Sequence, residues 1–180
     1  NPEPDPASGA AARGTVTEAG GNSVRQHLFT LGPDAKLIEM REGNVVTTLE
    51  RDVNGQITRL TLPSGHRFDH SYDARGNLIA LRDVLHGGLV SLSYDAVLDL
   101  PLEILYPGGA AIRLAYDTQD NPLSVTSPEG RRVTAAYGAD GLPLRVTNEL
   151  GTATTCGYGL TGNLETIGEG EGAGRRAITL

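Results

Sequence analysis

The sequence predicts an all-β fold of consecutive antiparallel hairpins, and three observations carry that prediction. A phrase recurs every 21 or 22 residues, opening at Phe29, Arg51, Tyr72, Tyr94, Tyr116, Tyr137 and Tyr158. Runs between the turns alternate apolar and polar, as in Val90, Leu92, Tyr94 and Ile112, Leu114, Tyr116. Period two over such lengths marks half-buried strands, not helix. Glycines then fall at fixed offsets from each opener, where hairpins need residues that accept a positive φ. A repeat of this length is one supersecondary unit that must stack on its neighbours to bury an apolar face.

Residues 1–13 hold three prolines alternating with polar residues, which excludes helix and predicts an extended linker or strap. The repeat segment is predicted over 14–180. Gly14–Leu28 reads as half a copy with Gly20-Gly21 as its turn, and the Phe29 copy is irregular around Gly32-Pro33-Asp34. The clearest openers are Tyr72-Asp73, Tyr94-Asp95 and Tyr116-Asp117; at Tyr137 and Tyr158 a glycine replaces the aspartate. One glycine follows four residues after the opener, as in Gly76 and Gly141. A second follows about fourteen after it, as in Gly65, Gly87, Gly109, Gly130 and Gly151. Leu98-Asp99-Leu100-Pro101 replaces the glycine turn in the Tyr94 copy and predicts a wider loop. Gly168–Gly174 is a glycine–glutamate tract that lengthens the last turn.

Composition narrows the function classes. A net charge of -7 and a pI near 5.0 argue against nucleic acid or an anionic membrane surface as partner, since both require basic patches. The single Cys156 allows no internal disulfide. No apolar run reaches the roughly 18 residues of a membrane helix, and no signal segment is visible. With 24 glycines and 10 prolines the chain is turn-rich. Its apolar inventory amounts to about one pair per strand, and neither end reads as a cap, so a piece of a longer array is expected.

Tyr72-Asp73-Ala74-Arg75-Gly76-Asn77-Leu78, and the join from Ser127-Pro128-Glu129-Gly130 into Tyr137, resemble the YD repeat of the RHS family. The resemblance spans nearly all of 14–180. It implies a curved, spiralling sheet forming part of an RHS β-shell, as in bacterial polymorphic toxins, the C component of Tc toxins and teneurins. The implied function is structural: enclosing and helping to deliver a C-terminal toxin domain in interbacterial competition or insecticidal secretion. Implied partners are further RHS repeats and the toxin, with secretion-spike or chaperone proteins, and an implied location is secreted or cell-surface, with type VI secretion as one route. The alternative is an adhesive or carbohydrate-binding surface protein on the same repeats. Family members often cleave themselves at an Asp-Pro-x-Gly-Leu-type motif; none occurs here, so no protease residues carry over.

The sequence nominates no catalytic residue, metal ligand or cofactor. Tyr72, Asp73, Gly76, Tyr94, Asp95, Tyr116, Asp117, Gly130, Tyr137, Gly141, Gly151 and Tyr158 are structural repeat positions. Their aspartates suit local bonding to turn backbone, and their tyrosines suit half-buried packing. A calcium ladder would need a shorter, aspartate-dense repeat; Asp117 with Asp120 is the closest local pair. His66 and His70 are about 13 Å apart along a strand and cannot share a metal locally. His27 and His86 read as isolated, and Cys156 as a small packed residue. An enzyme would need His66, His70 and Asp69 to meet residues from distant copies. The polar face of the sheet is expected to line the cavity of a shell.

Overall fold

The computed structural model describes residues 12–20, 23–170 and 176–179. The proposed linker lies outside them as far as residue 11, and so does 171–174 of the glycine–glutamate tract. None of the described residues is helical.

The chain forms two units, Asn1–Leu89 and Val90–Leu180. In the first, seven strands are described: β1 (Ala12–Gly20), β2 (Ser23–Leu31), β3 (Leu37–Glu42), β4 (Val45–Arg51), β5 (Ile57–Thr61), β6 (Arg67–Tyr72) and β7 (Leu78–Asp83). Each pairs antiparallel with the next. The second unit holds β8 (Leu89–Tyr94), β9 (Pro101–Leu105), β10 (Ala111–Tyr116), β11 (Pro122–Thr126) and β12 (Arg132–Tyr137). It continues through β13 (Pro143–Thr147), β14 (Ala153–Tyr158), β15 (Leu164–Glu169) and β16 (Arg176–Thr179). These too pair antiparallel in sequence order. Within each unit strands adjacent in sequence are partners in the sheet, because local alternation and turn residues leave no strand a reason to seek a distant one.

Both families of turn use one backbone design, except that Glu42 and Val45 pair directly across a two-residue turn. In Asp73–Asn77 the Asp73 N–H donates to the Asn77 carbonyl (2.9 Å) and the Gly76 N–H donates to the Asp73 carbonyl (3.1 Å). Ser127–Arg131 repeats this at 2.8 Å and 2.9 Å. A three-residue loop of this kind places its last residue in the left-handed region, and Gly76 (φ 94°) and Gly130 (φ 82°) occupy it. Ala35 (φ 58°) and Asp120 (φ 69°) hold the same place without glycine. Two turns carry one residue more. Asp95 closes on Leu100 at 2.8 Å, the widening expected around Leu98; Asp83 closes on Gly88, also at 2.8 Å. The latter corrects the sequence reading, which treated the Gly87 turn as regular.

Register fixes the two faces. In the first unit Leu49, Leu60 and Phe68 are successive cross-strand partners, and His70 pairs with Leu81. In the second, Leu92–Ile104–Ile112, Leu114–Val125–Val133, Ala135–Val146–Thr154 and Cys156–Ile167–Ile178 run across the strands on one side. The opposite side of the first unit carries a charged row, Glu50–Arg59–Asp69–Arg82. Arg59 Nε meets Asp69 at 2.7 Å and its Nη1 meets Glu50 at 3.1 Å. The apolar face is only half covered: Met40, Val125, Val133 and Val146 remain 41, 41, 38 and 37 % exposed. Among the described residues no large side chain is fully buried, and the buried apolar ones are Ala111 and Ala153. A leucine fully removed from water contributes about 2 kcal/mol; these obtain a fraction of that.

Candidate functional site

The repeat positions form two arrays of local bonds. Asp73 Oδ1 accepts the N–H groups of Arg75 and Asn77, both at 2.9 Å, while Oδ2 accepts the Asn77 side-chain amide at 3.1 Å. Asp117 repeats this with Gln119 (2.8 Å) and Asn121 (2.9 and 3.0 Å). Asp52 and Asn148 do the same with the backbone of their own turns. Chiefly through the Asn77 N–H for Asp73, and the Asn121 amide for Asp117, both carboxyls are held below the usual carboxylate range. Asp95 accepts Val97 and Leu98 N–H groups at 2.8 and 2.9 Å, adjusted to its longer loop. Where Gly138 replaces the aspartate, the backbone bonds persist, and Asp140 Oδ1 accepts the Leu142 N–H at 3.2 Å from inside the loop. The Gly159 turn keeps its two backbone bonds at 2.9 Å.

The tyrosines close the opposite ends. Tyr72 donates to the Ile57 carbonyl at 2.8 Å, Tyr137 to Pro122 at 3.2 Å and Tyr158 to Pro143 at 2.9 Å. Each acceptor opens the strand that pairs with the tyrosine's own, so the hydroxyl ties the open end of a hairpin. Tyr94 and Tyr116 are half-buried at the matching positions. Burial pushes the Tyr72 and Tyr116 hydroxyls up from their ordinary pKa.

The histidines depart from the sequence reading. His66 Nε2 lies 2.6 Å from Asp83 Oδ1, and His86 Nδ1 lies 2.8 Å from Asp83 Oδ2. His86 is therefore not isolated: its ring meets His66 edge-on, with centroids 5.1 Å apart. His27 is not isolated either, for its Nδ1 lies 3.9 Å from Glu42 across β2 and β3. The widened turn explains the meeting, since it brings His86 back over Asp83, which also accepts the Leu85 and His86 N–H groups at 3.0 and 3.1 Å. Phe68 stacks under His66 at 4.6 Å and fixes the ring. Burial opposes charge on Asp83, but bonds from His66, His86 and the His86 N–H outweigh it and hold this carboxyl well below the usual range. His66, His70 and Asp69 are not brought together, because Asp69 is engaged by Arg59 on the opposite face. The His70 Nδ1 is buried without a hydrogen-bond partner, and burial, partly offset by Asp69, lowers its pKa.

Residues 51–87 match the RHS repeat family model. That stretch is RHS-repeat sequence. That matched stretch holds both the Tyr72-Asp73 turn and the His66, Asp83 and His86 side chains. Three solved structures share the antiparallel fold seen here. TcdB2-TccC3-Cdc42 and TcdB2-TccC3 are 15 % identical, with TM-scores of 0.68 and 0.69. A mutant Photorhabdus luminescens Tc holotoxin pore containing TccC3 is also 15 % identical, with a TM-score of 0.68. In each case the likeness covers 88 % of this chain and 10 % of the other. The chain thus spans about a tenth of the length of those it resembles. No curated protein sequence matches it.

Proposed function

We propose that this chain is a structural segment of an RHS-type shell that encloses a C-terminal toxin domain and contributes to its delivery from a bacterium. The observation that carries the reading is the uncovered apolar face. A sheet whose valines stay near 40 % exposed must be completed by more protein before it is a stable wall. The shared fold with a tenth of TcdB2-TccC3 supplies the context. Further RHS repeats are then the first partners and the toxin domain is the second, with the charged row Glu50–Arg59–Asp69–Arg82 turned to the cargo. Such a lining lets the cargo slide out, because it offers no broad apolar surface to hold it. In this role the segment performs no chemistry itself. An adhesive aromatic strip gains no support, since the repeat tyrosines are half-buried and three of their hydroxyls are engaged within the sheet.

Limited proteolysis of the full polypeptide that contains these repeats tests the proposal. Residues downstream of the array should resist digestion until the repeats are cut. Equal digestion rates with and without the repeats would overturn it. The isolated chain should bind a dye specific for exposed apolar surface. A dye-silent globule with a radius of gyration of about 16 Å, the value for a closed domain of this length, would also count against it.

A further inference from the structure

We infer that His66, Asp83 and His86 form a zinc site that pins the turn between β5 and β6 to the widened turn after β7. The donor atoms, two imidazole nitrogens and one carboxylate oxygen, all lie within 4.8 Å of one another. Two nitrogens and an oxygen are a donor set that suits Zn²⁺, with a water in the fourth position. The same set is poor for Mg²⁺ and Ca²⁺, which prefer all-oxygen shells. In a tetrahedral zinc site neighbouring donors stand about 3.3 Å apart. The two His–Asp separations, 2.6 and 2.8 Å, must open by a fraction of an ångström, and the histidines must draw together.

The local chain permits that movement. His66 is held from below by Phe68 and is 19 % exposed, whereas His86 is 68 % exposed and precedes Gly87-Gly88. The packed histidine sets the site and the exposed one closes it. Asp83 is already oriented: with Oδ2 on the metal, Oδ1 keeps the Leu85 and His86 N–H groups, the outer bonding that holds a ligating carboxylate in place.

The register makes this copy unusual. Asp83 pairs with Phe68 and so lies on the apolar face, where a carboxylate is costly unless compensated. In the copies opening at Arg51, Tyr94, Tyr116 and Tyr137 the corresponding turn-opening residues are Leu62, Tyr106, Ser127 and Asn148; Glu42 and Glu169 hold that place in the Phe29 and Tyr158 copies, Glu42 facing a single histidine, His27. An acid opposite two histidines occurs where one residue has been added to the loop. The inference concerns these three side chains and stands or falls apart from the shell.

The test is titration of the 180-residue chain with Co²⁺ as an optical probe, followed by displacement with Zn²⁺. One equivalent should bind with the visible absorption of a four-coordinate nitrogen–oxygen site, be displaced by Zn²⁺ and be unaffected by excess Mg²⁺. H86A, a surface change, and H66Q should each weaken binding about tenfold or more, since even loss of an outer-sphere partner has that effect. H27A should leave it unchanged. Absence of saturable binding in the parent chain, or binding that survives H86A with unchanged affinity, would overturn the inference.

Discussion

The Tyr72 hydroxyl donates to the carbonyl of Ile57 at 2.8 Å, across the open end of the β5–β6 hairpin. The two residues are separated by most of a repeat, and the bond lies where the backbone ladder has ended. Y72F removes this donor and leaves the ring in place. It should cost about 1 kcal/mol, read as a lower urea midpoint. Y158F should behave alike, because its bond to Pro143 has the same geometry. An unchanged midpoint in both would show that the hydroxyls contribute nothing beyond packing.

The turn design predicts a gain of stability. Ala35 holds a left-handed conformation at φ 58° that its glycine counterparts adopt freely. A35G should stabilise the chain by up to about 1 kcal/mol, offset in part by the greater freedom of glycine when unfolded. The reverse change, G130A, meets no atom within 4 Å of the new Cβ, so its loss of about 1 kcal/mol would come from the backbone alone. Thermal melts of the two variants should move in opposite directions.

Acid sensitivity follows from the repeat aspartates. Asp73 and Asp117 are held below the ordinary 3.8 by N–H groups of their own turns. A carboxyl whose folded value is depressed stabilises fully above its unfolded value and loses that contribution as pH falls through the folded one. The chain should therefore weaken as pH drops below 3.8, and the double variant D73N/D117N should flatten that limb. An acid limb identical to the parent's would assign the effect to other carboxyls.

Arg59 bridges Glu50 and Asp69 on three adjacent strands. Because all three side chains are partly solvated, R59L should lower the melting point only slightly. The difference from the parent should shrink as salt rises. Paired melts at low and high salt decide it; a salt-independent loss would mean that packing of the arginine stem matters more.

The hairpins were legible because each copy repeats its own evidence. Alternation, glycine offset and period agree, and Gly76 or Gly130 marks a backbone requirement that no other residue type meets as easily. The hydroxyl partners of the tyrosines were not legible, since a backbone carbonyl leaves no trace in residue identity. The His66–Asp83–His86 meeting was missed for another reason. Spacing along one strand sets His66 against His70, whereas the relevant neighbour comes from the register that sets Phe68 against Asp83. His66 stands two residues before Phe68, the partner of Asp83, which makes Asp83 its diagonal neighbour across the strands. His86 depended on an added loop residue that the overall spacing concealed.

The turns have one further consequence, and it is kinetic. Within each unit, every strand waits only for the strand that follows it. The segments that must close are a few residues long, so the entropy of each closure is small, and contacts of low sequence separation form quickly. A growing chain can thus lay down one hairpin after another in the order of synthesis, with no intermediate waiting for a remote strand. Lengthening such an array by whole copies adds time in proportion, without adding a new search.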